Sequence, residues 1–130
     1  MNLTNIISEG KQLSSVSVYV HPDLPNEHVA LSLKFDGKIV FIEALDDDTL
    51  NISSKLCSDE YIELEYGNNT PFKQAIGQPL RWAWEMTNNN GYLDGVQMEF
   101  AESVSSDANI IQIQIIASRI DYRLVTQIEY

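Results

Sequence analysis

Carboxylates are the reactive groups this chain supplies in quantity, and they are unevenly placed. Between positions 43 and 65 stand Glu43, Asp46, Asp47, Asp48, Asp59, Glu60, Glu63 and Glu65, eight acids against Lys55 alone. Over the whole chain, 19 acidic and 8 basic side chains leave a net charge of −11. Such a surface keeps a protein soluble, and it also draws in a basic partner through long-range attraction. The eight residues are therefore the candidate partner-binding set. The same imbalance opposes phosphate backbones and anionic membranes, which need Lys and Arg to displace counterions. Neither nucleic acid nor a membrane is an expected partner.

A second constellation is Asn88, Tyr92 and Asp94, around the turn Asn89-Asn90-Gly91. A carboxylate turned inward beside Gly95 needs a partner such as the Tyr92 hydroxyl, an asparagine amide or Arg81. Capping of the turn accounts for these residue types. A polar ligand-binding or hydrolytic site, with His28 as a further participant, is the alternative use. Cys57 has His21 and His28 as conceivable bases, but no nucleophile signature surrounds it, and a small buried thiol is the simpler expectation. No serine sits in a G-x-S-x-G elbow, and six scattered glycines form no phosphate loop;. Asp46, Asp47 and Asp48 are consecutive, so their carboxylates diverge, and no EF-hand pattern follows. Two histidines without cysteine ligands do not make a structural zinc site. No catalytic residue, metal or cofactor is expected.

The elements that must position these groups are strands. With 130 residues, 44% of them hydrophobic, the chain reads as one domain able to bury its own core;. No apolar run approaches the length of a membrane span. A single cysteine excludes an intrachain disulfide, and the first residues lack the basic and apolar regions of a signal peptide, so a cytoplasmic location is expected. Leu3, Ile6 and Ile7 suit a short first helix ended by Gly10. Val16, Val18 and Val20 alternate with polar neighbours as a strand does, and His21 to Asn26, with two prolines, reads as a loop. Val29 to Phe35 and Lys38 to Ala44 flank Asp36-Gly37, which predicts a type I′ hairpin setting Leu33 opposite Val40 and Leu31 opposite Ile42. That register leaves Ile39 and Phe41 on the other face. A helix or second sheet layer is expected to cover them, with a partner protein, or a second copy of the chain in a homo-oligomer, as the alternatives.

Further strands are expected at Leu50–Ser53 and Tyr61–Tyr66, and one helical turn after Thr70-Pro71. Leu80, Trp82, Trp84 and Met86 alternate with polar residues, as do Val96, Met98 and Phe100. A three-residue loop then pairs Leu80 with Phe100, Trp82 with Met98 and Trp84 with Val96, and places both indoles in the core. A two-residue turn would set Trp84 opposite Gln97 and scatter the apolar face, so it is rejected. A turn at Ser105–Ala108 predicts Phe100 opposite Ile113 and Met98 opposite Ile115. The fold class that follows is α+β, mainly antiparallel β. The expectation is a strongly bent sheet or small barrel of eight to nine strands with one or two short helices.

Gly77, Leu80, Trp82, Trp84, Asn88, Gly91-Tyr92, Asp94-Gly95-Val96 and Phe100 spell G-x-x-L-x-W-x-W followed by N-x-x-G-Y-x-D-G-V-x-x-x-F. In this stretch, about a fifth of the chain, the sequence resembles small uncharacterised bacterial proteins classed as domains of unknown function. That resemblance brings no catalytic residues. In size, acidity and compactness the chain is also similar to immunity proteins that neutralise bacterial toxins. Together these imply a non-catalytic protein-binding module whose acidic face meets a basic partner.

Overall fold

In the computed structural model, the described residues are 3–64, 71–102 and 108–128. Helix α1 covers Leu3–Glu9, buries Leu3 and Ile6, and ends at Gly10, whose φ of 64° an L side chain adopts with strain;. Nine strands follow: β1 (Leu13–His21), β2 (Leu24–Phe35), β3 (Lys38–Ala44), β4 (Leu50–Ser53), β5 (Ile62–Leu64), β6 (Leu80–Thr87), β7 (Leu93–Phe100), β8 (Ala108–Ile116) and β9 (Arg119–Ile128). A 3-10 turn at Pro71–Ala75 buries Phe72 and Ala75. No helix of the described residues is long and apolar enough to cross a membrane.

The strands form two antiparallel sheets, ordered β4-β3-β2-β1-β5 and β6-β7-β8-β9. They share one core. Val16, Val18, Leu31, Leu33, Val40 and Ile42 come from the first sheet, and Val96, Met98, Phe100, Ile111 and Ile113 from the second. This corrects the expected bent sheet or barrel. Apart from one isolated bridge, Gln12 to Pro79, the ladders stay within each sheet, so the layers stack instead of closing;.

The β2–β3 hairpin has the expected register, with Leu33 opposite Val40 and Leu31 opposite Ile42. Its turn is not type I′, because only Gly37 (φ 76°) is left-handed there;. The Pro-rich loop is shorter than expected: β2 begins at Leu24, which pairs with His21. Pro25 falls where the ladder jumps from His21–Leu24 to Val20–His28, an irregular stretch in which a missing N–H breaks no pairing;. Phe100 pairs with Asn109 and Met98 with Ile111, a shift of register from the expected pairs that keeps the facing of every side chain;. The expected strand end at Tyr66, the Thr70 cap and most of the Ser105–Ala108 turn lie outside the described residues.

The largest correction concerns β6. Its loop is the expected one: the Asn88 N–H donates to the Tyr92 carbonyl at 2.9 Å, and Gly91 (φ 83°) is left-handed. Beyond it, Thr87 pairs with Leu93 but Met86 pairs with Gly95, so Asp94 is an extra residue in β7. Leu80 pairs with Phe100 but Trp82 with Glu99, so Arg81 is an extra residue in β6. Two bulges thus shift Trp82–Met86 by one residue relative to β7 and restore the register at Leu80. Ala83 and Glu85 take the core side, opposite Met98 and Val96, and both indoles turn outward. Two features accompany the shift. Helix α1 packs against β6 beside a groove lined by Leu3, Ile7 and Ala83. Gly95 also has no room for a side chain, since a Cβ would lie 2.5 Å from Met86 Cε and 2.9 Å from the Ile113 carbonyl oxygen.

Candidate functional site

The outer face of the second sheet carries the most unusual surface of the described residues. Trp82 is 54% exposed and Trp84 42%, and their rings stand edge to face with centroids 6.3 Å apart. Residues two apart on a strand share a face, so the pair projects to the same side as Gln97 and Glu99 of β7, Gln112 and Gln114 of β8, and Arg123 of β9;. Arg123 lies 3.7 Å from Asp121, and Glu99, the ladder partner of Trp82, is buried despite its outward facing. Two large exposed indoles offer a partner apolar area at low cost in side-chain freedom;.

The acidic window divides. Glu43 is 1% exposed: its Oε1 accepts the Cys57 backbone N–H at 3.0 Å and its Oε2 accepts the Tyr61 hydroxyl at 3.0 Å. It therefore holds the 54–61 segment against β3 and offers nothing to a partner, which corrects its place in the candidate set. Burial, and then the Glu43 carboxylate, push the Tyr61 hydroxyl up to about 12. The hydrogen bond with Glu43 pushes the Cys57 thiol up as well; Cys57 is exposed, not the buried thiol expected. Asp48 (φ 61°) accepts the Ser118 N–H at 2.6 Å and its hydroxyl at 3.0 Å, so it braces the β8–β9 turn from the other sheet. Asp47 takes the Thr49 hydroxyl and N–H, which hold its carboxyl below the ordinary range. Glu63 accepts the Tyr19 hydroxyl at 2.7 Å. Burial first, and that carboxylate after it, raise Tyr19 above its ordinary value. Asp46, Asp59 and Glu60 are exposed. Glu65 lies outside the described residues.

Asn88, Tyr92 and Asp94 all fall at the β6–β7 turn, and the Asn88 side chain serves the turn itself. The Asn88 Oδ1 accepts the N–H of Asn90 at 2.9 Å and of Tyr92 at 3.2 Å. Tyr92 is 58% exposed, and Asp94 is the bulged residue. Gly95, not Asp94, is the ladder partner of Met86.

Sequence reasoning missed a different pair. His28 Nδ1 and the Tyr122 hydroxyl are hydrogen-bonded where β2 crosses β9, with ring centroids 5.6 Å apart. Burial lowers His28 and raises Tyr122 from their ordinary values. Beside them a groove of about 280 Å³ is lined by Glu27, Arg119 and Asp121. Among the described residues no three His, Cys, Asp or Glu side chains are grouped to hold a metal ion.

The Ile39/Phe41 face, expected to need a helix or sheet as cover, has a different solution. Phe41 packs edge to face on Tyr19 with centroids 6.0 Å apart. Ile39 borders an open groove of about 680 Å³ with Lys34, Lys38 and Ile76.

A family model described as a family of unknown function (DUF6334) matches residues 1–129, and the chain belongs to that family. Neither a curated protein nor a solved structure matches it with significance.

Proposed function

We propose that this member of a family of unknown function is a non-catalytic protein-binding module that meets its partner with the outer face of the β6–β9 sheet. The observation that carries the reading is the exposure of Trp82 and Trp84 side by side. Tryptophan is the residue most enriched among those that dominate binding energy at protein interfaces. The alternating pattern of β6 suits burial of both rings, yet two bulges turn them to solvent.

The charge suggests the partner's sign. A net charge of −11 favours a basic protein, and the exposed carboxylates of Asp46, Asp59 and Glu60 steer it without forming the contact itself;. An acidic module of this size that captures one basic protein behaves as an immunity protein does. The reading is tested by affinity capture from the native host at low salt. Converting Asp46, Asp59 and Glu60 to Lys should slow association several-fold and flatten its salt dependence, leaving dissociation nearly unchanged. Failure to retain any partner at low ionic strength would remove the reading.

A further inference from the structure

We propose that the groove between the Asp36-Gly37 turn and the Ile76-Gly77 corner binds a small carboxylate with an aliphatic tail, of the medium-chain fatty-acid class. The open groove has a volume of about 680 Å³, within the range of small-molecule sites;. It shares no residue with the tryptophan face.

Its charge is the first argument. Lys34 and Lys38 line it, and Lys11 reaches its rim, where the Nζ donates to the Asp36 carbonyl oxygen at 2.7 Å. Two carboxylates oppose them: Asp36 at the rim, and Glu9, which lies 2.5 Å from Lys38 and 3.9 Å from Lys11. Three of the eight basic residues thus gather around one groove of a chain with net charge −11. The Lys38–Glu9 pair is solvent-accessible, so an incoming carboxylate competes with Glu9 at little cost;. The Lys34 ammonium has no partner among the described residues, and it stands on the same strand face as Ile39, its ladder partner.

Apolar surface is the second argument. Ile39 and Ile76 are each 36% exposed at the groove, with Leu13 and Phe35 buried behind them. An aliphatic chain covers such branched side chains without needing any hydrogen bond.

The backbone decides against an extended acidic peptide. Leu13 N–H donates to the Gln78 carbonyl at 2.9 Å, and Gly77 N–H to the Leu13 carbonyl at 2.7 Å. The Ser14 hydroxyl is spent on the Lys34 carbonyl at 2.9 Å. A peptide strand gains its affinity from main-chain pairing, and these groups are already paired. The combination that remains is ammonium groups beside aliphatic surface.

Methyl and amide NMR titration with octanoate tests the proposal, with acetate, octanol and an acidic hexapeptide as comparison ligands. Octanoate should saturate the protein and shift the Ile39 and Ile76 methyl signals, with acetate and octanol each at least about tenfold weaker. Lys34→Met should weaken octanoate roughly tenfold and leave octanol unchanged, whereas Lys34→Arg retains binding. Trp82→Ala with Trp84→Ala should leave octanoate binding intact, which separates this site from the protein-binding face. Octanol binding as tightly as octanoate, shifts centred elsewhere, no saturation, or tighter binding of the hexapeptide would each overturn the proposal.

Discussion

Trp82 and Trp84 stand edge to face at 61°, ring centroids 6.3 Å apart, on the open side of a sheet whose other side is packed. Surface residues of this kind contribute little to stability, so their removal should be nearly silent in the folded state. Each single change to alanine is expected to alter unfolding free energy by less than about 1 kcal/mol, against about 3–5 kcal/mol for a buried tryptophan. Urea denaturation followed by circular dichroism measures it. Acrylamide should quench both indoles of the native protein readily.

Gly95 of β7 lies between Met86 of β6 and Gln114 of β8. A methyl group there meets Met86 Cε at 2.5 Å and the Ile113 carbonyl oxygen at 2.9 Å. The Met86 side chain can move aside, but the backbone oxygen cannot without shifting a strand. Gly95→Ala should therefore destabilise by about 1–3 kcal/mol, and adding Met86→Ala should not restore the loss. Full rescue by the second change would place the strain in the Met86 side chain alone.

Ala117 and Ser118 occupy left-handed conformations, φ 52° and 59°, in the two-residue turn between β8 and β9. Neither residue type favours that region, and the Asp48 carboxylate offsets the strain by accepting both donors of Ser118;. Asp48→Ala is expected to cost about 1–3 kcal/mol. Ala117→Gly should stabilise by up to about 1 kcal/mol by removing the left-handed penalty. Chemical denaturation of the two variants checks both signs.

Stability should be flat between roughly pH 7 and 9 and fall on either side. Burial holds His28 below its ordinary 6.5, so the unfolded chain binds the extra proton first. The stability present above about pH 6.5 is accordingly lost as pH falls through the lower folded value. Tyr122 and Tyr61 are raised above 10, so the folded chain holds their protons longer and their contribution is lost as pH climbs past 10;. His28→Gln should remove the part of the acid-side slope that sets in below about pH 6.5;. An unchanged slope in that variant would show that His28 is equally solvated in both states.

Much of the architecture was legible because alternation is a local signal. The β2–β3 register followed from one turn and seven alternating residues, with no bulge between them. The β7 and β8 facings survived even where the register slipped, since the slip was an even number of residues. The middle of β6 was not legible from alternation, because its facing depends on two bulges. One cue was present: Gly95 directly after Asp94 is a glycine inside a strand pattern, which marks a bulge or a close backbone approach. Of the acidic candidates, Asp46, Asp59 and Glu60 are exposed to solvent. Glu43 is not, and no short-range pattern distinguishes a carboxylate that binds a neighbouring loop from one that faces water. The Asp48–Ser118 and His28–Tyr122 contacts join residues 70 and 94 positions apart, a separation that only the packed layers reveal.

The central claim is that the outward indoles are the contact surface for a basic protein. Its most direct test is the affinity of the captured partner for the native chain and for the Trp82→Ala/Trp84→Ala double variant, measured by calorimetry at matched salt. Loss of two interface anchors at about 2 kcal/mol each should weaken binding several-hundred-fold or more, with the fold intact. A partner that binds the double variant as tightly as the native chain would contradict the claim.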